Sequence, residues 1–89
     1  MQEKKITIIN RLGLHARAAV KLVNLASRFG SEILIRYNQR EINAKSVMNV
    51  MVIGANQGAE IELIITGEDE VDAMRAIETL IRDRFGEAE

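Results

Sequence analysis

The sequence predicts an α/β open-faced sandwich: a four-stranded antiparallel sheet with three helices on one face, in the order β-α-β-β-α-β-α. Three observations carry this. Segments such as 31–37 and 59–65 alternate apolar with polar residues, the period of a strand with one covered face. Between them lie segments with helical periodicity, which must cover that face. A length of 89 residues supplies one modest core and no second one, so 1–89 reads as a single domain.

The elements follow in order. Lys4 to Ile9 is a β-branched run and reads as the first strand. From Ala16 the composition turns helical and Gly30 supplies the stop, which predicts a helix over 16–28. Ser31 to Tyr37 places Ile33, Ile35 and Tyr37 on one face and Glu32, Leu34 and Arg36 on the other. Asn38-Gln39 is a two-residue turn, since asparagine tolerates positive φ, and a partner strand covers Arg40 to Asn43. Ser46 caps a short apolar helix that runs to Ile53 before Gly54. In the last strand Ala59, Ile61, Leu63 and Ile65 alternate with Glu60, Glu62 and Ile64. Gly67-Glu68-Asp69-Glu70 opens the final helix with negative charge where the macrodipole favours it. Arg82 and Arg84 fall in its last turn, and Gly86 ends it.

Composition narrows the function. Twelve basic residues stand against 13 acidic ones, which argues against nucleic acid as the main partner. Phe29, Tyr37 and Phe85 are the only aromatics, too few for a base-stacking platform. Without cysteine there is neither a disulfide framework nor a thiolate metal site, and one histidine does not make a usual zinc site. No cofactor is implied. No segment has the length and apolarity of a signal peptide core or a membrane span, so a cytoplasmic location is expected.

The single histidine, His15, stands where the first helix begins, two places before Arg17. On a helical wheel Ala18, Ala19, Leu22, Val23, Leu25, Ala26 and Phe29 form the stripe that faces the sheet. Arg17, Val20, Lys21, Asn24 and Arg28 fall opposite. The first helical N–H groups have no partner inside a helix, and with the dipole they form an anion site. Arg17 adds a planar cation suited to phosphate oxygens. Such positive surroundings keep an imidazole neutral and nucleophilic. A nucleophile beside an oxyanion site is what accepting a phosphoryl group requires. On the His-x-Arg spacing alone, a surface histidine that happens to open a helix fits as well, although serine, threonine, aspartate or asparagine would cap better.

The second helix is apolar nearly all round. Val50 and Ile53 share one side, and Val47, Met48 and Met51 share the other, so one side is expected to be exposed. Methionine suits an adaptable docking surface, and it also suits a core. Ser46 reads first as a plain N-cap; phosphate on it would add up to two negative charges beside the apolar patch.

At this point the chain resembles, from end to end, the HPr family of histidine-containing phosphocarriers of the bacterial phosphotransferase system. The resemblance lies in Gly13-Leu14-His15-Ala16-Arg17, in Lys45-Ser46-Val47-Met48-Asn49-Val50-Met51 at the expected distance, and in Gly58-Ala59-Glu60-Ile61 before the last strand. It implies that His15 accepts a phosphoryl group on Nδ1 from phosphoenolpyruvate-charged enzyme I and passes it to enzyme IIA-type domains, with Arg17 assisting. The docking patch would be Ala16, Val20, Lys21, Asn24, Val47, Met48 and Met51. Ser46 would match the regulatory site of an HPr kinase/phosphorylase, and a monomer is expected. A strand order of 1-4-2-3 rests on the resemblance alone. One departure is that Ala18 stands where the family has proline. Alanine restores an N–H near His15 and leaves the unfolded chain freer, a loss of about 0.4–1 kcal/mol where the site suits proline. The transfer role is expected to survive this, with altered rates or partner preference.

Two other readings use the same elements. One is a non-enzymatic ferredoxin-like regulatory domain that binds a small effector, with no covalent chemistry at His15. The other is a regulatory HPr paralogue that keeps the docking surface and has lost transfer.

Overall fold

A computed structural model describes residues 1–89. The elements are β1 (Gln2–Thr7), α1 (Ala16–Ala26), β2 (Glu32–Tyr37), β3 (Arg40–Asn43), α2 (Val47–Val52), β4 (Glu60–Thr66) and α3 (Glu70–Arg82), followed by a 3-10 turn at Arg84–Gly86. The sheet runs β1-β4-β2-β3 with every pair antiparallel. Fold class, element order and strand order are therefore as expected. The helices cover one face, over a core of 22 buried residues that includes Ile33, Ile35, Ile61, Leu63 and Ile65 from the strands. The α1 stripe of Ala18, Ala19, Leu22, Val23 and Ala26 meets that core as the wheel placed it.

Asn38 and Gln39 both take positive φ, +53° and +68°. That is the pair of left-handed residues a tight two-residue hairpin needs to match the strand twist. On the open face Arg36 joins Glu62 at 2.8 Å and Glu41 at 3.0 Å across three strands. Such exposed pairs contribute little to stability. Ile64, expected on a half-exposed face, is buried there, with Leu34 directly across the ladder.

Several boundaries differ from the sequence reading. β1 begins at Gln2 and ends at Thr7, because Gln2 pairs with Ile65 at the far end of β4. α1 stops at Ala26, not residue 28. Arg28 and Phe29 donate to Leu25 and Ala26, so the last turn tightens to i→i−3 bonds. The largest difference is at the C-terminal end. Arg84 does not lie in the last turn of α3, since Arg84 and Phe85 both take φ +55° and turn the chain back on itself. Left-handed backbone costs about 1–2 kcal/mol for an ordinary L-residue. Full burial of the Phe85 side chain offsets that cost, and residues 84–89 become a strap leading to the start of α1.

Candidate functional site

The site is built from the loop that enters α1. Gly13 sits at φ +67°, and a Cβ there would lie 2.6 Å from the Ala55 carbonyl oxygen and 2.7 Å from the Asn56 Cα. The next residue, Leu14, donates its N–H to that same Ala55 carbonyl at 2.9 Å, so the loop is pinned against the segment after α2. Gly13→Ala must displace backbone on one side or the other. It is expected to lower stability by about 1–3 kcal/mol in urea unfolding. An unchanged midpoint would show that the loop is not tightly packed.

His15 is the N-cap of α1, in extended backbone at φ −75° and ψ 179°, and its carbonyl accepts from Ala19 N–H at 2.8 Å. Its ring makes no capping bond, in keeping with its poor choice as a cap. The N–H groups of Ala16, Arg17 and Ala18 have no backbone acceptor, and the first turn carries no acidic residue. Arg17 is exposed and enters no ion pair, whereas Arg11, Arg36 and Arg82 all do. Free donors, a positive helix end and an unengaged guanidinium thus share one open cleft with the His15 ring.

The strap closes the other side of that cleft. Its Glu87 carboxylate contacts His15 Nε2 through Oε2 and accepts from Asn10 Nδ2 at 3.0 Å through Oε1. Asn10 is fully buried, and the same Nδ2 donates to the Gly13 carbonyl at 2.8 Å. Burial pushes the Glu87 carboxyl up. The hydrogen bonds from Asn10 and His15, and the attraction of His15 and Lys21, outweigh burial and hold it below the usual glutamate range. The expectation of purely positive surroundings for the ring is therefore corrected: a carboxylate lies against its Nε2. The sequence offers no cue to this, because 72 residues separate the two groups.

The residues expected to form the docking patch fall on two neighbouring surfaces. Ala16, Val20 and Asn24 lie on the exposed side of α1. α2 packs against α1 and buries Val50 while leaving Met48 72% and Met51 43% exposed, with Val47 half-buried. Lys21 has an exposed stem, but its ammonium binds the Phe85 carbonyl at 2.6 Å, so its charge is already engaged by the strap. Leu12 and Val52 are also exposed apolar residues and lie outside the expected docking patch. Leu12 lines the His15 cleft, where nothing but its place two residues beyond Asn10 marks it in the sequence. Ser46 is the N-cap of α2 and accepts from Asn49 N–H at 3.3 Å. Ala18 is fully buried, its side chain part of the core, and its N–H has no backbone acceptor at the helix start.

A family profile described as the PTS HPr component phosphorylation site matches residues 2–83. The chain is 48% identical over 87 residues to the phosphocarrier protein HPr of Xylella fastidiosa, covering 98% of each. It is 47% identical over 89 residues to that of Cupriavidus necator, covering both chains fully. The crystal structure of HPr-C-His from Thermoanaerobacter tengcongensis superposes with a TM-score of 0.96 at 42% identity, over the whole of both chains.

Proposed function

The chain belongs to the HPr family of the phosphotransferase system, and from that premise we propose that it carries a phosphoryl group on His15 between enzyme I and enzyme IIA-type domains. The observation that carries this reading is the meeting, in one cleft, of the His15 ring, the unpartnered first N–H groups of α1 and the unengaged Arg17. The ring supplies the lone pair. The N–H groups and the guanidinium hold the phosphoryl oxygens as the bond to the donor breaks. The transfer is stoichiometric, so the protein acts as a carrier in a chain of exchanges. Phosphoenolpyruvate as ultimate donor sets the exchange in the cytoplasm, with the protein acting as a monomer.

Enzyme I and the IIA domains would dock on the exposed residues of α1 and α2, with Met48 and Met51 giving an adaptable apolar surface. Incubation with phosphoenolpyruvate and enzyme I tests the reading. It should give an acid-labile, base-stable phosphate that disappears when a IIA domain is added. No label under conditions that charge another HPr would defeat it.

Ser46 is the proposed regulatory position, modified by an HPr kinase/phosphorylase. Ser46, itself half-buried, directly precedes Val47 and Met48 in the chain. A phosphate dianion there would oppose docking through desolvation and repulsion of acidic partner groups. Ser46→Glu is expected to slow charging of His15 by enzyme I several-fold, chiefly by raising KM. Unchanged kinetics would remove the regulatory role.

A further inference from the structure

We propose that Glu87 is a positioning residue for His15: its carboxylate keeps the proton on Nε2, leaves the Nδ1 lone pair for the phosphoryl group, and balances the positive charge the ring gains in transfer. The proposal rests on the reading of His15 as acceptor and adds a second, distant part of the chain to the site.

A carboxylate only accepts hydrogen bonds, so the ring nitrogen that faces it must be the one bearing the proton. In a neutral imidazole the other nitrogen, Nδ1, then holds the lone pair. Glu87 is itself fixed: Asn10 grips its second oxygen at 3.0 Å, and Asn10 is buried and tied to the Gly13 carbonyl. The strap that delivers Glu87 is anchored on either side. Phe85 is sunk in the core with its carbonyl held by Lys21, and Glu89 meets both the backbone N–H and the side chain of Arg11, at 2.6 and 2.9 Å. Both partners are shielded, with side-chain exposures of 26% for His15 and 15% for Glu87. An ion pair of this kind is less screened than one on the open surface.

The transfer step balances without moving a proton. The Nδ1 pair forms the new N–P bond, and the donor's bond to phosphorus breaks with its electron pair returning to the donor. Nε2 keeps its proton. The ring leaves the step one positive charge richer, opposite the Glu87 carboxylate. Carboxylates that orient imidazoles in hydrolases and metal sites act by the same logic.

The test uses the full-length protein and two variants. Nitrogen-15 NMR of the imidazole, recorded without enzyme I above the ring's titration, reads the tautomer. Steady-state charging by enzyme I reads kcat and KM. The wild type is expected to show the Nε2–H tautomer. Glu87→Ala should gain a substantial Nδ1–H population and lose about ten- to a hundredfold in kcat with KM little changed. Glu87→Gln can still accept from Nε2–H through its amide oxygen, with its NH2 then facing the Asn10 amide, so it should keep more of the Nε2–H tautomer and more of kcat than Glu87→Ala. A wild-type ring in the Nδ1–H form, a tautomer unmoved in Glu87→Ala, or a kcat unchanged in Glu87→Ala overturns the proposal. If the wild type is never phosphorylated, the acceptor reading fails instead, which the enzyme-free tautomer spectrum distinguishes.

Discussion

His15→Ala is expected to abolish phosphoryl uptake from charged enzyme I completely while leaving the fold intact. The completeness follows from what else lines the cleft. Around the ring stand Arg11, Leu12, Ala16, Arg17, Ala88 and the two carboxylates Glu87 and Glu89. The cations and the apolar groups are not nucleophiles at neutral pH. A carboxylate could at most form an acyl phosphate, which base destroys, whereas phosphohistidine survives base and is lost in acid. The stability of any residual label therefore reports which group carries it. The fold should tolerate the change because the ring makes no capping bond and its hydrogen-bond partner is Glu87 alone. Circular dichroism and thermal unfolding check this. A wild-type level of acid-labile label in His15→Ala would place the chemistry elsewhere.

Phe85→Ala is expected to give the largest loss of stability among the strap residues, about 3–5 kcal/mol. In a domain of this size each kcal/mol lowers Tm by about 4–8 °C. Two contributions add. The fully buried ring leaves a cavity in the core beside α1 and α3. The left-handed backbone at Arg84 and Phe85 then lacks the burial that offsets its strain. With its anchor gone, the strap should loosen and withdraw Glu87 from His15, so charging by enzyme I should also slow at temperatures where the variant stays folded. Urea unfolding gives the stability and the charging assay gives the rate. A loss below about 1 kcal/mol would show that the strap is held by its surface contacts and not by Phe85.

The contrast between these two residues shows how far the sequence reaches. His15 is legible because its chemistry is rare in the chain and its neighbours in sequence are its neighbours in space. The α1 stripe and the split of α2 into a Val50 side and a methionine side follow from local periodicity, and the structure places them accordingly. The Asn38-Gln39 turn is equally local. Glu87 is different. It reaches the ring only because Arg84 and Phe85 adopt a conformation for which neither residue type has a preference, so no propensity announces it. The nearest signal is Phe85 itself, an aromatic just beyond the end of a helix that otherwise turns polar. Asn10 lies in the loop before α1, but its role as the bridge between that loop and Glu87 needs the folded strap. Likewise Lys21 reads as a surface cation on the wheel, and only the tertiary contact shows its ammonium on the Phe85 carbonyl.

Ala18 bears on the acceptor role from another direction. The family's proline would remove an N–H at the third helical position, and alanine leaves that donor unpartnered beside His15. That N–H is buried with the rest of Ala18, so the donors that face the cleft are those of Ala16 and Arg17. The helix start is held without proline, because Gly13 packing and the Leu14 hydrogen bond already set the entry of the chain into α1.

The proposed carrier atom is Nδ1 of His15. Phosphorus–nitrogen coupling in nitrogen-15-labelled protein, charged by enzyme I and phosphoenolpyruvate, tests it most directly. A single phosphorus resonance coupled to Nδ1 is expected, with the proton retained on Nε2. Coupling to Nε2, or a phosphorus resonance with no coupling to the ring, would contradict it.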